Sequence, residues 1–329
     1  MNRRTLLAAL TSAAALSIAV PAAAQTAGDY PNRPIRIIVP QAAGSGVDLQ
    51  ARTLAQKMGE LWGHQGVVEN RPGANAIIGM GEAAKAAPDG YTLVYAPVSS
   101  VTTNQFIYKN LPYNVQRDFA PITQTVSNPL GLIANPASGI KSIKDAIDRA
   151  KAEPGKLNYG SFGIGNMTHL QGVLLSLAAD VQMTHVPYRG QTPMVTDILG
   201  GQIPMGFTTT AGVTDLVATN KLLLLATFGA ERDEQFPNTP TPTEAGYPRA
   251  VVVGWAGLLA PAGTSKPIID KLYAGMAKAL AMPDVKEAIL KQGSKAVASK
   301  SPEDFARFIK AESDKFQPVI KAAGLEGSQ

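Results

Sequence analysis

The chain has 329 residues, of which 45% are hydrophobic, 30 are basic and 25 are acidic, and none is cysteine. The formal net charge of +5 is a mild excess without a basic run, so nucleic acid is not an expected partner. The lack of cysteine excludes thiolate chemistry and cysteine-based metal sites, and a protein of this size builds its core without disulfides.

The first 24 residues have the three parts of an export signal. Arg3 and Arg4 form a basic head, an apolar stretch follows up to Val20, and Pro21 precedes alanines that suit signal peptidase. A membrane anchor needs roughly 20 apolar residues, and this stretch is shorter and ends in a cleavage-like site. We therefore expect cleavage near Ala24 and a mature chain in a bacterial-type periplasm, by either Sec or twin-arginine export. The remaining 305 residues suffice for two domains of about 150 residues each.

After this signal, short apolar runs alternate with helical patterns. The first predicted strand is 35–39, and a helix follows it with apolar residues at helical spacing from Leu54 to Trp62. Further strands are predicted at 66–69, 91–95, 130–134, 156–159, 184–186, 203–207 and 222–227, and helices at 77–87, 142–151 and 168–179. The chain closes with helices, the last of which begins at Ser301 and Pro302. This alternation is typical of an α/β fold with largely parallel sheets covered by helices.

A loop of small residues connects the first strand to the first helix. It consists of Gln41, Ala42, Ala43, Gly44, Ser45, Gly46, Val47 and Asp48. The loop resembles a dinucleotide fingerprint, but Leu49 stands where the third glycine is required, so we expect no nucleotide cofactor. Backbone N–H groups at such a helix start form an anion site. From this loop alone, a merely tight glycine turn is an equally good interpretation.

Two later segments favour the anion site. A second glycine loop opens the helix after strand 156–159, and its candidate ligand contacts are Gly163, Gly165, Asn166, Thr168 and His169. Two such loops, more than 110 residues apart, fit one ligand held between two α/β lobes. A hydroxyl-rich segment after strand 91–95 adds Ser99 and Ser100, although capping is the commoner use of such hydroxyls.

Residue sets that support catalysis are missing from the sequence. His64, His169 and His185 fit no HExxH spacing, and without cysteine we find no set of zinc ligands. There is no GxSxG nucleophile elbow and no P-loop lysine. We therefore predict no catalytic residue, no metal site and no bound cofactor.

Several phrases resemble one known family in the family's own order. They are YPNRPIRIIVP, GVVENRPGANAIIG, AAPDGYTLV, LPYNVQRDFAPIT, EPGKLNYGSFG, THVPYRGQTPMVTDILGGQI and GWAGLLAPAGT. These are similar to the Bug-type solute receptors, the TctC family of extracytoplasmic receptors of tripartite tricarboxylate transporters. The resemblance implies a type II periplasmic binding fold, with lobe 1 at residues 25–128 plus 253–329 and lobe 2 at 129–252. The strands that cross between the lobes are expected near 127–130 and 251–254.

The resemblance also implies a binding mode, in which main-chain groups of the two glycine loops and ordered waters hold the ligand carboxylate. This chain departs from the family pattern at several positions. Gln41 replaces an aromatic residue, Val47 replaces a threonine, and Thr208 and Thr209 stand where the family commonly has an acidic residue and an asparagine. Tyr188 matches a family tyrosine and is a candidate pocket wall.

The function that follows is capture of a small organic carboxylate for a tripartite tricarboxylate-type transporter. A di- or tricarboxylate is expected, and an aromatic diacid is also admissible. The expected partners are this ligand and the membrane subunits of the transporter, and the receptor is expected to be a monomer. A ligand-sensing receptor of a signalling system would use the same fold and is the alternative. A secreted enzyme is the weaker alternative, because no nucleophile, base or metal set is visible.

Overall fold

The structure is a computed structural model that describes residues 28–328. The predicted export signal, residues 1–24, lies outside the described residues. Every helix in the described part of the chain is too short or too polar to cross a membrane.

The strands within residues 28–328 are β1 (Ile35–Val39), β2 (Gly66–Asn70), β3 (Thr92–Pro97), β4 (Phe119–Asn128), β5 (Leu130–Ala134), β6 (Asn158–Ser161), β7 (Thr184–Pro187), β8 (Met205–Thr209), β9 (Leu223–Thr227), β10 (Gly254–Pro261) and β11 (Lys295–Ala296). The α-helices are α1 (Gly46–Trp62), α2 (Ile77–Ala83), α3 (Val98–Thr102), α4 (Asn104–Ile107), α5 (Val115–Asp118), α6 (Ile143–Ala152), α7 (Met167–Ala179), α8 (Gln191–Leu199), α9 (Thr214–Ala218), α10 (Lys266–Ala281), α11 (Pro283–Lys291) and α12 (Pro302–Ala322).

The predicted elements are present, with ends shifted by a few residues. The helix predicted at 77–87 ends at Ala83, and the next residues form tight turns in which Lys85 N–H donates to the Glu82 carbonyl. The hydroxyl-rich segment after β3 is helical. There the hydroxyls of Ser100 and Thr102 donate to the carbonyls of Pro97 and Val98, three and four residues earlier.

Six of the described strands form sheet 1, in the order β11-β4-β10-β3-β1-β2. β1 runs parallel to β2 and β3, whereas β10 is antiparallel to β3 and β4. The register of β10 on β4 pairs Gly254 with Asn128. A strand from late in the chain is therefore required in the middle of sheet 1.

Five strands, all from residues 130–227, form sheet 2 in the order β7-β6-β8-β5-β9. β6 is parallel to β7 and β8, and β5 is antiparallel to β8 and β9. Pro129 alone separates β4 of sheet 1 from β5 of sheet 2. The expectation of largely parallel sheets is thus wrong, because the strands next to the crossing points, β5 and β10, run antiparallel to their neighbours.

Helix α12 packs its apolar face against β4 of sheet 1 and against α7. Phe305, Phe316 and Ile320 on this face are fully buried, in one cluster with Trp255 of β10 and Leu170 of α7. Burying side chains of this size stabilises the fold by about 1.5–3 kcal/mol each relative to exposure. The helix begins as predicted, with the Ser301 hydroxyl accepting from Asp304 N–H and proline at the first helical position.

Candidate functional site

A cavity of about 300 Å³ lies where α1 and α7 begin. α1 follows β1 of sheet 1 and α7 follows β6 of sheet 2, so each sheet contributes one helix N-terminus to the cavity. Seven residues predicted from the sequence line it, namely Gln41, Gly46, Val47, Ser99, Asn166, Thr168 and Thr209. The structure thus brings residues of all three predicted segments to one place.

The lining of this cavity is uncharged and combines polar with apolar side chains. None of the described residues that form it is a lysine, arginine, histidine, aspartate or glutamate. An anion there would meet amide and hydroxyl groups and the positive ends of two helix dipoles. This arrangement suits an anion although it lacks a cationic side chain.

A second cavity, of about 280 Å³, adjoins the first at residues 293 and 294. Residues 229–235 form part of its wall, and Glu234 in this segment pairs with Lys295 at 2.6 Å. No helix N-terminus is among the described residues that line it. The cavity at α1 and α7 therefore suits an anion better.

The first glycine loop is held together by Asp48. Its buried carboxylate accepts hydrogen bonds from Gly44 N–H at 2.8 Å, Asn70 Nδ2 at 2.9 Å and Arg52 Nε at 3.0 Å. Burial alone would raise the pKa of the Asp48 carboxyl, but these hydrogen bonds outweigh burial and hold the pKa below its usual value. Asp48 lies outside the cavity lining, and its hydrogen bonds fix the conformation of the loop.

The N-terminus of α1 places backbone N–H groups without an intrahelical acceptor at the cavity. The Ser45 hydroxyl accepts from Asp48 N–H at 3.3 Å, as an N-cap residue does. The N–H groups of Gly46 and Val47, in the first turn, have no acceptor inside the helix, as is general for this position. Both residues line the cavity, so these donors are placed where an anion can use them.

The second glycine loop caps α7 through Asn166 and Thr168. Asn166 Oδ1 accepts from the Thr168 N–H and from the Thr168 hydroxyl, both at 3.1 Å. The Thr168 hydroxyl oxygen accepts from Phe162 N–H at 2.9 Å. Met167, at the first helical position, also lines the cavity, and its N–H has no acceptor inside the helix.

Behind this loop lie two stacked histidines. The rings of His169 and His185 are 3.7 Å apart and nearly parallel, with an interplanar angle of 12°. His169 Nδ1 accepts from Gly165 N–H at 3.2 Å, and His185 Nε2 lies 2.6 Å from the Ser161 hydroxyl. Burial lowers the pKa of His169 to about 3, with His185 as a second cause, and burial lowers the pKa of His185 to about 4. Both imidazoles are therefore neutral at neutral pH.

The chain is similar to known proteins over most of its length. The family model for the tripartite tricarboxylate transporter family receptor matches residues 50–325. This chain belongs to that receptor family. The protein BugT of Bordetella pertussis is 33% identical over 328 residues, which cover 99% of each chain.

Two solved structures are also similar. The periplasmic binding protein BugD is 33% identical with a TM-score of 0.75, and the match covers 90% of this chain and 99% of BugD. R. palustris Rpa4515 with adipate is 29% identical with a TM-score of 0.79, with the same coverage of each chain. The predicted two-lobed α/β fold of a periplasmic binding protein is confirmed by this likeness.

Nine of the residues that the sequence predicts to bind the ligand lie outside the lining of the receptor's cavity. They are Gly44, Ser45, Asp48, Ser100, Gly163, Gly165, His169, Tyr188 and Thr208. Most of them shape the two loops, as described above for Asp48 and His169. The Tyr188 hydroxyl donates to Asp197 at 2.8 Å, and burial and this hydrogen bond raise the pKa of Tyr188 to about 12. Thr208 is adjacent to Thr209 on β8 and faces the opposite side of the sheet.

The receptor's cavity also has walls that the sequence analysis missed. The polar ones are Gln50, Asn128, Gln191, Gln292 and Ser294, and the larger apolar ones are Val98, Leu130, Phe162, Met167 and Trp255. Gln50 Nε2 donates to the Ser294 hydroxyl at 2.8 Å, and this hydroxyl donates to Asn128 Oδ1 at 2.6 Å. These two hydrogen bonds connect α1 to the end of β4, where the backbone crosses to sheet 2. The sequence feature that could have indicated this wall is Gln50, a polar residue one turn after the first glycine loop.

Proposed function

We propose that this receptor captures a small organic carboxylate, with two or three carboxylate groups, in the cavity at α1 and α7. The observation that carries the proposal is that two helix N-termini meet at an uncharged cavity, one after a strand of sheet 1 and one after a strand of sheet 2. A relative of the same fold is described with adipate, a dicarboxylate. We propose further that the receptor passes its ligand to the membrane subunits of a tripartite tricarboxylate transporter.

The binding mode follows from the free amides. A carboxylate oxygen accepts from the first-turn N–H groups of Gly46, Val47 and Met167, and the dipoles of α1 and α7 favour its negative charge. Hydrogen bonds to a charged group contribute about 1.5–3 kcal/mol each. Selection among carboxylates then depends on side chains that differ from the family pattern, above all Gln41 and Thr209.

We propose that two lobes close on the ligand in this binding mode. We place lobe 1 at residues 25–128 plus 253–329 and lobe 2 at 129–252, since all strands of sheet 2 come from within the latter range. Hinge bending at 127–130 and 251–254 would bring the start of α7 towards the start of α1. A ligand between them is then held from both sides and largely removed from water.

We propose that the protein works as a monomer in the periplasm after cleavage near Ala24, and that it is not an enzyme. Members of its family are receptors, and BugD is described as periplasmic. The cavity lining offers no charged or nucleophilic pair that could carry proton transfer. The comparisons give no support to the sensing alternative.

A thermal-shift screen tests the proposal. The mature protein, beginning at Gln25, is heated with mono-, di- and tricarboxylates, and neutral amides of the same acids serve as controls. A ligand at 100 times its Kd stabilises the folded state by about 2.7 kcal/mol, which is readily measured as a shift in Tm. Adipate is a first probe. Stabilisation by none of the acids, or equally by their neutral amides, would contradict carboxylate capture.

A further inference from the structure

Four helices of the described chain share one hydrogen bond at their start. In each, the residue before the N-cap donates its N–H to the side chain at the third helical position, a variant of the capping box. In α6 and α12 the acceptors are Asp145 and Asp304, bound to Lys141 N–H at 2.9 Å and Lys300 N–H at 3.2 Å. In α1 the acceptor is Asp48. A carboxylate is therefore the usual acceptor in this protein.

α7 is the exception among these four helices. Its third helical position holds His169, which accepts from Gly165 N–H through Nδ1. Only a neutral imidazole with its proton on Nε2 has a free acceptor at Nδ1. The stack on His185 and the burial of His169 favour this neutral form.

The hydrogen bond to His169 fixes the shape of the second glycine loop. Gly165 has φ +71°, and Gly44 in the first loop has φ +78°, so both glycines adopt the left-handed conformation just before the N-cap. A second contact holds the other end of the loop, because the Ser161 hydroxyl contacts His185 and accepts from Gly163 N–H at 3.2 Å. The two histidines thus brace the loop at both ends and set the direction of the first turn of α7.

A carboxylate in place of His169 would carry a negative charge next to the bound anion. In α1 the charge of Asp48 is offset by Arg52 at 3.0 Å. Around His169 the described contacts are with the neutral His185, with Gly165 and with Tyr159, whose hydroxyl reaches the His169 carbonyl at 3.5 Å. Burial raises the pKa of Tyr159, so it too is uncharged. No cation is available there among these contacts to offset a carboxylate.

We propose that His169, backed by His185, is a positioning residue for ligand binding that orders the second glycine loop without adding negative charge beside the ligand. The proposal rests on carboxylate capture in the cavity at α1 and α7. His169 does not touch the ligand; it acts through Gly165 and the first turn of α7.

Four variants of the mature protein separate the effect of loop order on ligand binding from the effect of the charge at position 169. His169→Asn places Oδ1 where Nδ1 was, His169→Asp adds a charge to the same acceptor, and His169→Leu removes the acceptor. His64→Asn is the matched control, because His64 follows the far end of α1. Adipate binding is measured by calorimetry, and hydrogen exchange of the Gly165 amide reports loop order.

We expect His169→Leu to weaken adipate binding about tenfold or more, the size of one lost hydrogen bond, and to speed exchange at Gly165. His169→Asn should stay within a few-fold of the parent protein in both measurements. His169→Asp should keep Gly165 protected but bind adipate more weakly than His169→Asn. His64→Asn should change neither quantity.

Equal affinities in the Asn and Asp variants would show that charge at this position is irrelevant to binding, and the proposal would fail. Unchanged exchange at Gly165 in His169→Leu would show that His169 does not order the loop. If the parent protein binds no carboxylate, the proposed function fails instead, and the exchange data still decide the role of His169 in the loop.

Discussion

The starts of α1 and α7 share the same backbone conformation and hydrogen-bond pattern, but they differ in electrostatics. Each has a left-handed glycine before the N-cap and a side-chain acceptor at the third helical position. In α1 the acceptor is an anion paired with the half-exposed Arg52, whereas in α7 it is a buried neutral imidazole. The comparison teaches that loop order requires an acceptor but not a charge. The net charge beside the proposed anion site is controlled separately, by an ion pair in one loop and by a neutral acceptor in the other.

The largest expected effect comes from removing one first-turn amide in either helix. Gly46→Pro and Met167→Pro delete an N–H at the first helical position, where proline is tolerated. The preceding Ser45 and Asn166 have the extended backbone that proline requires before it. Each variant should weaken adipate binding about ten- to a hundredfold, because a hydrogen bond to a charged group is lost. Calorimetry at fixed pH and salt measures this.

Matched controls keep the amide in place. Gly46→Ala retains the N–H, and its added Cβ meets nothing within 4 Å. Met167→Leu retains the N–H and most of the side-chain volume. A loss in one proline variant alone would show that a single helix holds the anion, and the symmetry between the two loops would then be structural only.

A smaller effect is expected from neutralising the acceptor of the first loop. Asp48→Asn breaks the ion pair with Arg52 and should lower the free energy of unfolding by about 1–2 kcal/mol, since the carboxylate is buried and accepts several hydrogen bonds. Urea unfolding at pH 7 measures the change. Asp145→Asn removes the corresponding carboxylate of α6, which is only partly buried, and should cost clearly less. Equal losses would contradict a special role for Asp48.

The most gradual effect is that of pH on the second loop. Because burial holds the folded-state pKa of His169 near 3 and of His185 near 4, the unfolded chain binds protons first as the pH falls below the ordinary histidine pKa of about 6.5. The free energy of unfolding should therefore fall between about pH 7 and pH 4. The pKa of Asp48 is lowered too, so its contribution is lost only at still lower pH.

Urea unfolding at pH 7, 6 and 5 measures this fall in the free energy of unfolding. His169→Asn lacks one of the two buried histidines, so its stability should fall less steeply than that of the parent protein. Identical slopes would mean that His169 is not held neutral by the fold.

The glycine loops and the fold were predictable because their physical signals are local. Small residues between a buried strand and an amphipathic helix mark a helix start at the edge of a sheet, and both loops indeed meet at one cavity. The role of Asp48 was not predictable, because Asp48 lies in α1 and its partner Asn70 lies at the end of β2. The walls formed by Gln292 and Ser294 come from a segment after α11 that has no motif, and tertiary packing alone brings it to α1.

The position of β10 in the middle of sheet 1 has a consequence for biosynthesis. Sheet 2 is complete once residue 227 has been made, but sheet 1 lacks its central strand until residues 254–261 are present. Pairing across so long a separation in sequence is slow, and until then the N-terminal strands have no partner on one side. The N-terminal segment, which is made first, should therefore complete its sheet last. If Sec is the export route, this delayed closure would keep the leading part of the chain unfolded during passage through the membrane.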